Sequence, residues 1–250
     1  MLNPVSSSTP LSEVFPWSKD QAHTILVADS IHTDGRFVLH TFATTHQRIW
    51  WLAGGPFTDT LISTAQSKLS KHDMQIRSLT TELAEQEDPV DPTQFLQQLY
   101  LDMKEWMTKT PTDQPVPWII LDDVSCMAGL MGKRLTYAWI LSIQALAQQH
   151  SVGLLIRCSH DHEQQETESP SWIGASSSDP TTTKNRSEYW ETNLVESMDW
   201  VVDVTPLASG VTREAHGKLI MSCQRQQEMK VFNYCLTDQK VLAIRMQGSV

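Results

Sequence analysis

No apolar run in the sequence approaches the ~18 residues that a membrane-crossing helix needs, so a spanning segment is not expected. Met1 to Pro10 is Ser-rich and has no apolar signal core, and Gly248-Ser249-Val250 carries no prenylation motif. The expected location is therefore cytoplasmic and nuclear. Asn185-Arg186-Ser187 fits a glycosylation sequon, which carries no weight without secretion. Cysteine is scarce. Cys126, Cys158, Cys223 and Cys235 show no C-x-x-C spacing, and reduced thiols in or near apolar runs are expected. Positive charge is also short: 19 Lys and Arg face 29 Asp and Glu, giving a net charge of -10 and a pI of about 5.3. Such a chain repels phosphate backbones overall, so any nucleic-acid contact needs a local basic patch or a basic partner. No G-x-S-x-G elbow, no other nucleophile motif and no internal repeat is present.

What remains is a chain of 250 residues, 40% hydrophobic, long enough to bury a core as one large α/β domain or two small ones. Its nine tryptophans read as core and interface packing. Residues 1–16 read as a disordered tail and 17–250 as one domain. Thr24 to Ala28, Ile49 to Ala53, Trp118 to Leu121, Val152 to Ile156 and Trp200 to Val204 are short continuous apolar runs, as expected of strands buried on both faces. Helical patterns lie between them: Phe37 to Phe42; Leu61, Ala65 and Leu69; Phe95, Leu99, Met103 and Trp106; Leu135, Trp139, Ile143 and Leu146; and Leu194, Val195 and Met198. Met74 to Leu79 alternates weakly, as a strand would. Asp91-Pro92 marks a helix start, with the acid as cap and proline at the first position. Residues 159–187 form a polar loop of unusual length. Lys218 to Cys223, Val231 to Leu236 and Lys240 to Met246 read as hairpin strands. The sum is an α/β fold: a mostly parallel central sheet, helices on both faces, and a C-terminal antiparallel hairpin extension.

In a doubly wound fold the turn after the first strand is where phosphate binds. A P-loop there reads G-x-x-x-x-G-K-[ST]. This chain has Ser30-Ile31-His32-Thr33-Asp34-Gly35-Arg36-Phe37. Gly35 matches, and Ser30 replaces the other glycine. Arg36 keeps the lysine's charge but not its shape, and Phe37 replaces the hydroxyl that holds Mg²⁺. Asp34 adds negative charge where phosphates would sit. The strand from Trp118 ends in Asp122-Asp123, the layout of a Walker B acid, although these residues could equally cap the next helix. Asp34, Gly35, Arg36 and Asp122 thus form a candidate vestigial nucleotide site. His160 and His162 would share a strand face, but they open a polar loop with no second ligand pair, so no metal and no cofactor are expected. Lys184, Arg186 and Arg213 are the candidate basic contacts; ordinary solvated charge is the competing reading.

Three segments, in order and at suitable spacing, resemble the Elongator complex protein 6 family of RecA-like Elongator subunits. They are Thr33 to Phe42; Leu207-Ala208-Ser209-Gly210, continuing to Arg213-Glu214-Ala215-His216-Gly217-Lys218-Leu219; and Phe232 to Asp238. The apolar run ending at Asp122-Asp123 also falls where that family has its paired Asp. The resemblance spans Thr24 to Met246 and leaves out the N-terminal segment and residues 159–187. It implies a RecA-like fold without a functional phosphate loop. It also implies a heterohexameric ring, with two copies each of Elongator subunits four, five and six, that docks on the catalytic subcomplex. That ring binds tRNA and supports wobble uridine modification, with the chemistry residing in another subunit. The chain is then not an enzyme, and Lys184, Arg186 and Arg213 are its candidate tRNA contacts. The alternatives are an active ATPase that uses Arg36 in place of lysine, and a recombinase-paralogue adaptor in DNA repair.

Overall fold

Strands whose residues are apolar on both faces have to lie at the middle of a sheet, and they do. The computed structural model describes residues 8–15, 17, 21–30, 32–54, 73–85, 90–109, 115–160, 189–225, 227–237 and 241–245. Along the chain these form β1 (Ser8–Pro10), α1 (Leu11–Val14), β2 (Thr24–Ser30), α2 (Arg36–Ala43), β3 (Arg48–Ala53) and β4 (Asp73–Ser78). Next come α3 (Leu79–Ala84), α4 (Pro92–Thr108), β5 (Trp118–Asp122), α5 (Val124–Met131), α6 (Lys133–Gln149) and β6 (Gly153–His160). The last elements are α7 (Tyr189–Glu196), β7 (Trp200–Thr205), β8 (Gly217–Cys223), β9 (Glu228–Leu236) and β10 (Val241–Arg245). Among the described residues the strands form one sheet in the order β1-β10-β9-β8-β7-β2-β6-β5-β3-β4.

The sheet from β7 to β4 is parallel, and β8, β9, β10 and β1 add an antiparallel extension at one edge. The expected mixed α/β architecture is therefore present, with helices on both faces. Leu26, Trp50, Leu52, Ile119, Leu121, Leu154 and Ile156 point to one side, where α4, α5, α6 and α7 cover them. Their sequence neighbours Ile25, Val27, Ile49, Trp51, Trp118, Ile120 and Leu155 point to the other, against α2 and the N-terminal segment. Each fully buried large apolar side chain contributes about 1.5–3 kcal/mol relative to exposure. Gly153 is required by close packing: a Cβ there would stand 2.4 Å from the Trp118 ring.

One sequence expectation is corrected. Residues 1–16 are not all tail, because Ser8–Pro10 pairs with β10 and Leu11 is fully buried against the core. The reason is apolar burial: Leu11 and Trp17 fill the sheet face beside Phe42 and Trp200. The core packing expected of tryptophan is seen at the described positions. Trp17, Trp50, Trp51, Trp106, Trp118, Trp139 and Trp200 are all buried inside. The patterns at Leu61 to Leu69 and most of the 159–187 loop lie outside the described residues. Among the described residues no helix is long and apolar enough to cross a membrane.

Candidate functional site

Strand order locates the site. From β2 the chain goes through α2 on one face to β3, and from β6 through α7 on the other face to β7, which lies beyond β2. The adjacent strands β2 and β6 therefore bound a topological switch point, and the crevice at their carboxyl ends is where such a sheet receives a ligand.

Strand parity then decides which side chains enter it. Asp29 shares a face with Ile25 and Val27, Arg157 with Leu155, and Asp122 with Trp118 and Ile120. All three thus project on the α2 side, at the carboxyl end of the sheet. Arg157 donates through Nη1 to Asp29 Oδ2 at 2.8 Å and through Nε to Asp122 Oδ1 at 2.5 Å. Its Nη2 lies 3.3 Å from Asp123 Oδ2. Ser159 Oγ donates to Asp29 Oδ1 at 2.7 Å. The side chains of Arg157, Asp29 and Asp122 are only 4%, 1% and 0% exposed, so these pairs are hardly screened by solvent.

The turn from Ser30 to Gly35 is closed on itself. Thr33 N donates to Ser30 O at 3.0 Å, and His32 N donates to Ser30 Oγ at 3.3 Å. Arg36 N donates to Asp34 Oδ1 at 3.0 Å, and Gly35 N donates to Asp29 Oδ2 at 2.7 Å. The amides of His32, Thr33, Gly35 and Arg36, which a phosphate would need free, thus already have acceptors within the chain. Thr33 Oγ1 donates to Val204 O at 2.7 Å and ties the turn to the end of β7. Phe37, where a P-loop carries its metal-binding hydroxyl, packs its ring 4.6 Å from that of Tyr234 on β9.

The electrostatics are uneven, because one guanidinium faces three carboxyl groups. Burial works against the charge on Arg157, but Asp122 and Asp29 outweigh it and hold the group protonated. Burial pushes the Asp122 carboxyl above its usual range, Arg157 pulls it back, and Asp123 adds to the push. Asp122 Oδ2 is buried without a hydrogen-bond partner. On Tyr234, burial and the nearby Asp34 and Asp29 raise the phenol.

Of the residues expected at the site, Gly35 and Asp122 are joined through Asp29 and Arg157. Asp34 lies outside this network: its side chain is 60% exposed and pairs with Arg36 Nε at 3.0 Å. Asp123 caps α5, accepting from Cys126 N at 3.1 Å from a left-handed backbone at φ 61°. Arg213 is exposed on the connection between β7 and β8, and Lys184 and Arg186 lie outside the described residues. Neither Asp29 nor Arg157 was picked out from the sequence. The available signal was a lone arginine following the buried run Leu154 to Ile156: such a charge has to find a carboxylate. Among the described residues no group of three or more His, Cys, Asp and Glu is arranged to hold a metal, and His162 is outside them. Cys158 and Cys223 are buried, Cys126 and Cys235 are half-buried, and all four are reduced.

No family model matches the chain, and no curated protein matches it.

Proposed function

We propose that the chain is a non-catalytic, RecA-like subunit of an Elongator-type assembly, one of three kinds of subunit in a heterohexameric ring that binds tRNA and supports wobble uridine modification. One observation carries this reading. The topological switch point of the sheet is present, but the Gly35 amide there is engaged by Asp29 and the strand-end acid Asp122 by Arg157. A sheet retained with its ligand groups consumed is one whose surfaces, rather than its chemistry, do the work.

The antiparallel extension supports the interface part of the reading. One side of it packs Leu219, Met221, Tyr234 and Ala243 into the core. By register, the other side carries Ile220, Met229, Val231, Leu242 and Ile244. None of these five belongs to either core cluster, and Met229 is 54% exposed. A row of this kind suits burial against a neighbouring subunit. Arg213, Lys184 and Arg186 are assigned to tRNA, with the basic partners supplying most of the attraction that this acidic chain lacks.

Co-expression with the two other ring subunits, followed by mass measurement of the intact complex, tests the proposal. The expected result is a hexamer with two copies of each subunit, in which the purified chain alone shows no ATP turnover. A monodisperse monomer at high concentration, or recovery of recombination factors instead of Elongator subunits from cells, defeats it. Turnover abolished by Arg36→Ala would establish the active-ATPase alternative.

A further inference from the structure

We propose that Asp29 and Arg157 are resident substitutes for a bound ligand: the Asp29 carboxylate takes the phosphate's place on the amide at the start of α2, and the Arg157 guanidinium takes the cation's place against Asp122. The inference rests on reading the crevice as a lapsed nucleotide site. It goes further by saying what occupies that site and what the occupant does.

The geometry is specific. An anion at a helix N-terminus is attracted by unpaired amides and by the helix dipole. Asp29 Oδ2 supplies such an anion, 2.7 Å from Gly35 N and itself buried. The fit is tight, since a Cβ on residue 35 would lie 3.0 Å from that same oxygen. In a nucleotide-binding site a metal neutralises the acid at the end of the neighbouring strand. Here Arg157 reaches Asp122 from β6, the strand between β2 and β5, and its planar fork bridges to Asp29 on the other side. The anion and the cation therefore touch each other as well as the groups they satisfy. Ser159 Oγ holds the second Asp29 oxygen.

The consequence is a domain whose carboxyl edge stays fixed without ligand. In a nucleotide-responsive domain, polyphosphate and metal pull the phosphate loop and the acid-bearing strand together, and their loss releases them. In this chain the corresponding elements, β2 with α2 and β5, are joined by covalently attached groups, with Arg157 of β6 as the bridge. A subunit built in this way presents a constant face to its neighbours whatever the nucleotide concentration.

Amide hydrogen exchange of the full chain over residues 30–37 tests the proposal. In the wild type the Gly35 amide is expected to exchange slowly, with a rate changed less than about twofold by millimolar magnesium-ATP or pyrophosphate. In Asp29→Ala that amide should exchange at least ten times faster, roughly the loss of one hydrogen bond to a charged group. Pyrophosphate should restore its protection, and should fail to do so in Asp29→Ala/Arg157→Met. If Asp29→Ala does not fold, Asp29→Asn keeps an acceptor for Gly35 while removing the charge. Its Gly35 amide should stay protected while the melting temperature falls by several degrees. Slower exchange in the wild type on adding magnesium-ATP overturns the proposal, as does a wild-type Gly35 amide that exchanges as freely as exposed loop amides. These outcomes are independent of the ring: failure to recover ring partners leaves the exchange result standing, and nucleotide protection would sink this inference even in an assembled ring.

Discussion

Replacing Arg157 by methionine removes the guanidinium that touches Asp29, Asp122 and Asp123 while keeping much of its packing volume. The buried carboxyl groups of Asp29 and Asp122 then lose their counter-charge. The expected cost is about 3–5 kcal/mol, read from the shift in the urea unfolding midpoint. Gly153→Ala tests packing without charge. Its added methyl would overlap the Trp118 ring, which is itself held against Phe42 and His46, so about 1–3 kcal/mol should be lost. His23 gives a pH signature at the opposite end of the sheet. Burial lowers its pKa below the ordinary 6.5, more than Asp199 raises it, and Arg225 lowers it further. The unfolded chain therefore takes up this proton first as the solution is acidified. The His23 contribution is complete above pH 6.5 and is lost progressively below it. His23→Gln should flatten the stability curve on that acid side, as measured by urea titrations at a series of pH values. At this scale little of the site was legible. Gly35 and Asp122 stand out because of their neighbours in sequence. Asp29 and Arg157 are 128 positions apart and meet only through the β2–β6 register.

The elements themselves were easier to read. Strands β3 and β5 are continuous apolar runs, and only a position between two covered faces tolerates them. Helix α4 begins where Asp91 and Pro92 indicate, with Asp91 Oδ1 accepting from Thr93 N at 2.8 Å. Asp91→Ala should cost about 1 kcal/mol, visible as a lower urea midpoint with an unchanged slope. Helices α3 and α5 escaped notice for different reasons. Leu79–Ala84 is too short to show a period, and Ser78 starts it by accepting from Thr81 N. In Val124–Met131 small and apolar residues leave no polar stripe to contrast with the buried one. Strand β1 was hidden because three residues containing serine and proline carry no strand pattern; pairing with β10 alone defines it.

For the whole molecule, the side of the antiparallel extension that faces away from the core separates folding from assembly. A Val231→Lys/Leu242→Lys double variant changes two half-buried positions that lie outside both core clusters. Its unfolding midpoint should stay within about 1 kcal/mol of the wild type. Its recovery with the proposed ring partners should fall at least tenfold in a co-purification assay. Loss of stability instead would mean that these residues support the domain itself. The mixed architecture was legible at this scale, because runs alternating with helical patterns give a parallel sheet and closely spaced late strands give hairpins.

Ser8 and Ile244 sit opposite each other in the sheet although they come from opposite ends of the described chain. Leu11, in the turn of helix that follows β1, is fully buried. A truncation that removes β10 would therefore leave β1 without its partner strand and set the residues around Leu11 loose.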